Sequence, residues 1–226
     1  MILLLVGVSS MLAAFAFLPP PEPTEPAVSV FPLPQRYAGN YGNDWGAARI
    51  QGDHEGTDIF APAGTVIRSI TAGTVSRAWG SSSGDGWNNL GGYTVMIEAS
   101  ENVGTIQRGD RLYYAHMDTP TKLEPGDTVE AGDKIGAVGD TGQGPPGTRG
   151  EFEPHLHLGW YEGWSFFGED RTSAINGAMN PHPMLKRVER ESESGGGKNG
   201  AWTNAPSREL PPPRQIYAAD YYRRAY

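Results

Sequence analysis

The 226-residue chain contains no cysteine. Disulfides and thiolate metal ligands are therefore excluded, and any transition metal must be held by imidazole and carboxylate. Histidine is scarce too, at five. Basic residues are outnumbered: 18 Lys and Arg against 26 Asp and Glu give a net charge of −8, and no basic stripe interrupts it. Such a surface repels phosphates, which argues against nucleic acid as a partner. Also lacking is any convincing 3.6-residue apolar period, which argues against a helical bundle.

One long apolar run is present. Residues 1–18, MILLLVGVSSMLAAFAFL, form a signal peptide or signal anchor; Ala14-Phe15-Ala16 offers a small-x-small cleavage site, but no positive charge precedes it. About 18 apolar residues just reach the length of a membrane span, so a tether through this segment is expected alongside secretion. The rest of the chain is placed outside the cytoplasm. Residues 19–36 are proline-rich and read as an extended linker, and residues 187–226 read as a low-complexity, disordered tail.

Between them, residues 37–186 form one expected catalytic domain. Gly 31 and Pro 19 together exceed a fifth of the residues, a composition suited to many turns. Short β-favouring runs at 65–67, 73–75, 93–97, 111–115, 134–138 and 155–160 alternate with turn signals. They predict an all-β fold, an antiparallel β-sandwich or barrel-sandwich with disordered N- and C-terminal tails. Two Gly-rich interruptions, 80–92 and 139–153, are long for hairpin loops, and long loops in a compact domain often carry function.

Three of the five histidines fall in two short stretches, DHEGTDIFAP at 53–62 and PHLH at 154–157. In an extended strand, even offsets share a face, so His54, Gly56 and Asp58 point one way and Glu55 and Thr57 the other. Gly56 leaves space between the two candidate ligands. A helical HExxH variant with Glu55 as base is disfavoured by Gly56, by Thr57 and Ile59, and by Pro62. Glu55 is then expected on the face away from the metal. The same parity puts His155 and His157 on one strand face, with Leu156 turned into the core. His54, Asp58 and one of these two histidines make three N/O ligands with an open fourth position, the arrangement of a single catalytic zinc ion able to lower the pKa of its water to about 7. His116 ends an apolar and aromatic run and by itself reads as an ordinary strand-end residue. His182, between Pro181 and Pro183, reads as an exposed loop residue.

The stretch WGAARIQGDHEGTDIFAPAGTVIRSITAGTV resembles the opening of the M23 peptidases, the lysostaphin and LytM family of peptidoglycan endopeptidases, with their H-x-G-x-D signature and AP-x-GT turn. The resemblance continues through GGYTVMIEA, LYYAHMD, PGDTVEAGDKIGAVGDTG, PHLHLGW and MNPHPML, covering roughly residues 40–186. It implies that His54, Asp58 and His157 hold zinc, and that His116 and His155 are the two non-ligand catalytic histidines. The implied reaction is hydrolysis of a peptide bond in peptidoglycan stem peptides or cross-bridges by a metal-activated water. The implied partner is thus peptidoglycan; the oligomeric state stays open.

Departures from the family pattern are local. Residues 143–153 lengthen the connection before PHLH, Leu158-Gly159 replaces the usual Phe-Glu after HLH, and Ala47-Ala48-Arg49 stands where some relatives carry a tyrosine. Two other classes compete: a non-catalytic M23-like scaffold or activator of other cell-wall hydrolases, and a lipoyl-type carrier suggested by PGDTVEAGDKIGAVG. Intact ligand and histidine positions favour the enzyme over the first. Lys134, just ahead of a strand rather than on an exposed hairpin, disfavours the second.

Overall fold

The computed structural model describes residues 27–50, 52–79, 87–163 and 177–193. Eleven strands lie among them: β1 (Ala48–Arg49), β2 (Gly52–Asp53), β3 (Thr57–Phe60), β4 (Val66–Arg68), β5 (Gly73–Trp79), β6 (Tyr93–Ala99), β7 (Arg111–Met117), β8 (Thr128–Val129), β9 (Lys134–Ala137), β10 (His155–Tyr161) and β11 (Ala178–Met179). A 3-10 turn (Gln35–Tyr37) precedes them, and helix α1 (Pro181–Glu193) follows. The six longer runs marked in the sequence all became strands. They did so because alternating β-branched and aromatic residues can bury one face of a pleated surface.

The large sheet is antiparallel, in the order β11-β10-β7-β6-β5-β8, with β3 also paired to β10. Strand β10 is its pivot. On one edge His155–Leu158 pairs with β3, and on the other His157–Tyr161 pairs with β7. His157 therefore has Asp58 as one cross-strand neighbour and Ala115 as the other. Directly opposed residues lie about 5 Å apart, so pairing alone brings an imidazole beside a carboxylate.

Alternation sorts the faces. Val95, Ile97, Leu112, Tyr114, Leu156 and Leu158 enter the main core, which the small β4–β9 sheet closes with Ile67 and Ile135. Met96, Tyr113, Ala115 and Tyr161 cluster on the opposite face. That second face carries the candidate site.

Two boundaries differ from the expected ones. Val30, Phe31 and Leu33 are buried in the core, so part of the expected linker 19–36 is built into the domain. Its backbone joins the fold, with Val30 N–H donating to Ile70 at 2.8 Å and Pro32 accepting from Arg68 at 2.9 Å. At the other end, α1 runs through Glu193, past the boundary expected at 186/187. His182 lies in its first turn, edge-on to Tyr41 at 5.7 Å, and is not an exposed loop residue. Prolines at 181 and 183 read as breakers, yet a first turn tolerates them because its N–H groups lack helical partners. The Asn180 side-chain oxygen accepts from His182 N–H at 3.0 Å, capping the helix. The signal peptide or anchor, residues 1–18, and the tail beyond residue 193 lie outside the described residues. Among the described residues no helix is long and apolar enough to cross a membrane.

Met184, Leu185 and Val188 form the stripe by which α1 seats on the core. Leu185 is fully buried. Leu185→Ala is expected to cost about 2–5 kcal/mol of unfolding free energy, read as a lowered urea midpoint. An unchanged midpoint would mean that α1 is not part of the cooperative unit.

Candidate active site

His54 leaves the short β1–β2 ladder and enters a loop, so 54–58 is not one continuous strand; β3 begins at Thr57. Backbone bonds still fix His54 firmly, its N–H donating to Ala47 at 2.9 Å and its carbonyl accepting from Gly46 at 2.7 Å. Gly56 gives space to His157: a Cβ there would stand 2.4 Å from His157 Cε1 and 2.6 Å from Nε2. Any side chain at position 56 would push that ring out of place.

His54, Asp58 and His157 converge as one group of potential ligands. Asp58 Oδ1 stands 3.2 Å from His54 Nε2 and 3.0 Å from His157 Nδ1, and the two nitrogens are 3.0 Å apart. A tetrahedral ion with bonds of about 2.0 Å separates neighbouring ligand atoms by about 3.3 Å, so the triangle has nearly the size of one tetrahedral face. These residues fit a zinc ion. Three atoms able to act as acceptors also call for a shared positive charge. Burial lowers the pKa of His54, but the Asp58 charge and the hydrogen bond to Asp44 override it and hold the imidazole up at about 10. For Asp58, burial raises the pKa, while the charges of His155 and His54 and bonds from His157 and His54 bring it well below the usual carboxylate range.

Each ligand has a supporting partner. His54 Nδ1 lies 3.0 Å from the Asp44 carbonyl and 3.3 Å from its carboxylate. A carbonyl only accepts, so Nδ1 carries the hydrogen and Nε2 faces the triangle. Asp58 turns its other oxygen, Oδ2, to Arg49 Nη2 at 3.0 Å, leaving Oδ1 for the cluster.

His155 and His116 stand beside the triangle. His155 donates from Nδ1 to the Glu153 carbonyl at 2.7 Å, and its Nε2 lies 3.5 Å from Asp58 Oδ1. His116 donates from Nδ1 to the Thr141 carbonyl at 2.8 Å. Both rings thus have one tautomer fixed, with Nε2 left as the basic atom. Their centroids are 4.8 Å apart, and that of His116 is 5.8 Å from His157. Burial, then the charges of His155 and His157, push His116 well below the usual imidazole range. It is neutral at pH 7.

A β-bulge delivers His116. Tyr93 pairs with Met117 and Val95 with Tyr114, so one residue of β6 opposes two of β7. Strict alternation would have sent His116 into the core beside Tyr114. The extra residue turns it to the face of Ala115, at φ 61°, a left-handed conformation costing about 1–3 kcal/mol for a non-glycine residue.

The triangle and both histidines line a cleft of about 290 Å³. One wall is made where the two Gly-rich interruptions join: Gln143 N–H donates to Leu90 at 3.1 Å, Gly144 N–H to Asn89 at 2.9 Å, and Trp87 Nε1 to Gly144 at 2.8 Å. Residues 80–86 of the first loop lie outside the described residues. Within the second, Phe152 packs against His116 at 4.5 Å and His155 at 5.0 Å between centroids. Glu55 does not face away from this space as expected. It lines the cleft, accepting a hydrogen bond from Tyr161 Oη at 3.3 Å, because the chain is irregular at 54–56 and strand parity does not govern it there.

Sequence reasoning missed Asp44, Phe152 and Tyr161, and noted Arg49 only as a missing tyrosine. Tyr161 alone carried a usable signal, being in step with His155 and His157 along β10.

An antiparallel sheet presenting a His-Asp-His triangle flanked by two oriented histidines defines a compact class of folds and sites. The model of Peptidase family M23 matches residues 52–170, and the chain belongs to this family. It is 38% identical over 169 residues to an L-Ala--D-Glu endopeptidase of Bacillus subtilis (strain 168), covering 71% of this chain and 44% of that protein. It is 32% identical over 155 residues to the glycyl-glycine endopeptidase ALE-1 of Staphylococcus capitis, covering 68% and 35%. The chain thus spans less than half the length of these curated relatives. A crystal structure of a lytM protein from Ruminococcus gnavus ATCC 29149 superposes with TM-score 0.55 at 36% identity, covering 73% of this chain and 61% of that one.

Proposed function

We propose that the chain is a zinc endopeptidase that hydrolyses peptide bonds in peptidoglycan stem peptides or cross-bridges, acting outside the cytoplasm. The observation that carries this reading is the triangle of ligand atoms with edges of 3.0–3.2 Å, beside two histidines whose Nε2 atoms are left basic. In this reading His54, Asp58 and His157 hold one zinc ion through Nε2, Oδ1 and Nδ1. Zinc held there supplies Lewis acidity, lowering the pKa of a water ligand to about 7 and polarising a carbonyl.

The remaining chemistry belongs to the chain. His155 and His116, at Nε2, take the proton of the attacking water and return a proton to the leaving amine, or hold the developing oxyanion. The Glu153 and Thr141 carbonyls keep those rings from rotating, and Phe152 restricts them from the side. The wall formed by residues 87–92 and 143–153 places the substrate backbone across the histidines. Support comes also from the named activities of the two curated relatives, both endopeptidases. Those names specify different bonds, so they leave open which bond is cut here.

Arg49 is assigned a positioning role, since it occupies the Asp58 oxygen that the triangle does not use. Arg49→Met is expected to weaken zinc binding by about 10–100-fold in chelator competition. Equal affinity in the variant would remove Arg49 from the account. The proposal as a whole is tested by zinc-dependent release of peptide fragments from purified peptidoglycan.

A further inference from the structure

We propose that Glu55, held by Tyr161, forms a subsite that recognises an ammonium group on the peptide substrate. The inference rests on the endopeptidase reading and adds a specificity determinant to it.

The geometry begins at Gly159. Residues 155, 157, 159 and 161 share the site face of β10. Gly159 offers no side chain there, and the Tyr161 ring lies back over it: a Cβ at Gly159 would be 2.7 Å from Tyr161 Cε2 and 3.2 Å from its Oη. The hydroxyl thus stands over Gly159, on the face that carries His157 about 7 Å further along the strand. At that point it donates to Glu55 Oε2 at 3.3 Å. The result is a carboxylate fixed on the cleft wall, one residue along the chain from a proposed zinc ligand.

The charge pattern names the ligand class. Glu55 is half-buried, and among the described residues no Lys or Arg forms an ion pair with it. Among the described residues Arg49 is the one Lys or Arg lining the cleft, and it is engaged by Asp58 at 3.0 Å and Asp44 at 3.6 Å. Asp53 lines the same wall and adds to its negative potential. Tyr161 occupies one oxygen of Glu55 and leaves the other to accept from a substrate. A partly desolvated carboxylate that pairs with no Lys or Arg of the described residues, and whose neighbour His54 is engaged by Asp44 and Asp58, gains most from a charged N–H donor, through a charge-assisted hydrogen bond. Peptides supply such a donor as a terminal α-ammonium or as the side-chain ammonium of a diamino acid.

The test measures binding and turnover separately, on the full zinc-loaded chain. Four stem-type peptides are titrated calorimetrically into His155→Ala: two bear a free α-amine or a free side-chain amine, and two are their acetylated counterparts. The expected result is that one free-amine peptide binds about tenfold more tightly than its acetylated form, which also identifies which amine is read. Adding Glu55→Gln should collapse that ratio toward one, Glu55→Asp should keep part of it, and Tyr161→Phe should reduce it. Equal affinities in His155→Ala, binding of no peptide, or a ratio that survives Glu55→Gln with zinc content intact would overturn the subsite. Hydrolysis of the same peptides by wild type is followed in parallel. Preference without turnover upholds the subsite and sinks the endopeptidase reading; turnover without preference does the reverse.

Discussion

Asp58→Ala is expected to leave the purified protein without stoichiometric zinc and to lower peptidoglycan hydrolysis by at least about 1,000-fold. Asp58 Oδ1 is the corner shared by both imidazole nitrogens, at 3.0 and 3.2 Å, and its loss leaves two ligands where a catalytic zinc needs three. It also strands Arg49, whose guanidinium meets Asp58 Oδ2 at 3.0 Å. Metal Lewis acidity contributes several kcal/mol to such a transition state, and about 4 kcal/mol corresponds to three decades in rate. Asp58→Asn keeps the shape but removes the charge, so it should bind zinc weakly and hydrolyse slowly. Metal analysis beside a fragment-release assay decides the matter. Full zinc occupancy in Asp58→Ala would mean that the ion sits elsewhere.

His155→Ala and His116→Ala are expected to behave differently from that variant, retaining zinc while losing about 10²–10⁴ in kcat. The two rings are 4.8 Å apart and their tautomers are fixed independently, by Glu153 and by Thr141. If they serve one proton pathway, the double variant should lose far less than the product of the single losses. His116 permits a further separation of chemistry from folding. Its φ of 61° is a conformation that glycine adopts without strain, so His116→Gly should preserve the bulge and the thermal midpoint while losing the rate. Retained hydrolysis in both single variants would leave the histidines without a chemical role.

The sheet was legible because its strands bury one face against the core. β-Favouring runs between turn signals at 93–97, 111–115 and 155–160 marked them, and strand parity put Leu156 into the core with His155 and His157 on the other face. Two short motifs made legible His54, Asp58 and one of His155 and His157, and the family resemblance singled out His157, the one that joins the group of potential ligands, although regular strand geometry does not extend back to His54. Three features were hidden for physical reasons. A bulge adds one residue to β7 and reverses the face of His116, which period-two reasoning places in the core. Helix α1 begins with two prolines tolerated by its first turn, and it is tied through Glu191 and Ser192 to Ser29 and Phe31, in a segment that reads as linker until it is packed. Phe152 reaches the site only through tertiary placement, from a long loop.

The departures from the family pattern gain a physical sense in this arrangement. Gly159, in place of the usual glutamate, admits the Tyr161 ring that holds Glu55. The segment 143–153 meets residues 89–90 through Gln143 and Gly144 and brings Phe152 onto both histidines. Both features surround the triangle without entering it, and the second also supplies the Glu153 carbonyl that orients His155.

The most direct measurement is digestion of purified peptidoglycan by the full chain and by His155→Ala, each with and without a chelator, with fragments read by mass. The account predicts new peptide termini in the wild-type digest, abolished by chelation, restored by added zinc, and reduced at least about 100-fold in His155→Ala. No chelator-sensitive fragments from a zinc-loaded wild type, or undiminished release by His155→Ala, would contradict it.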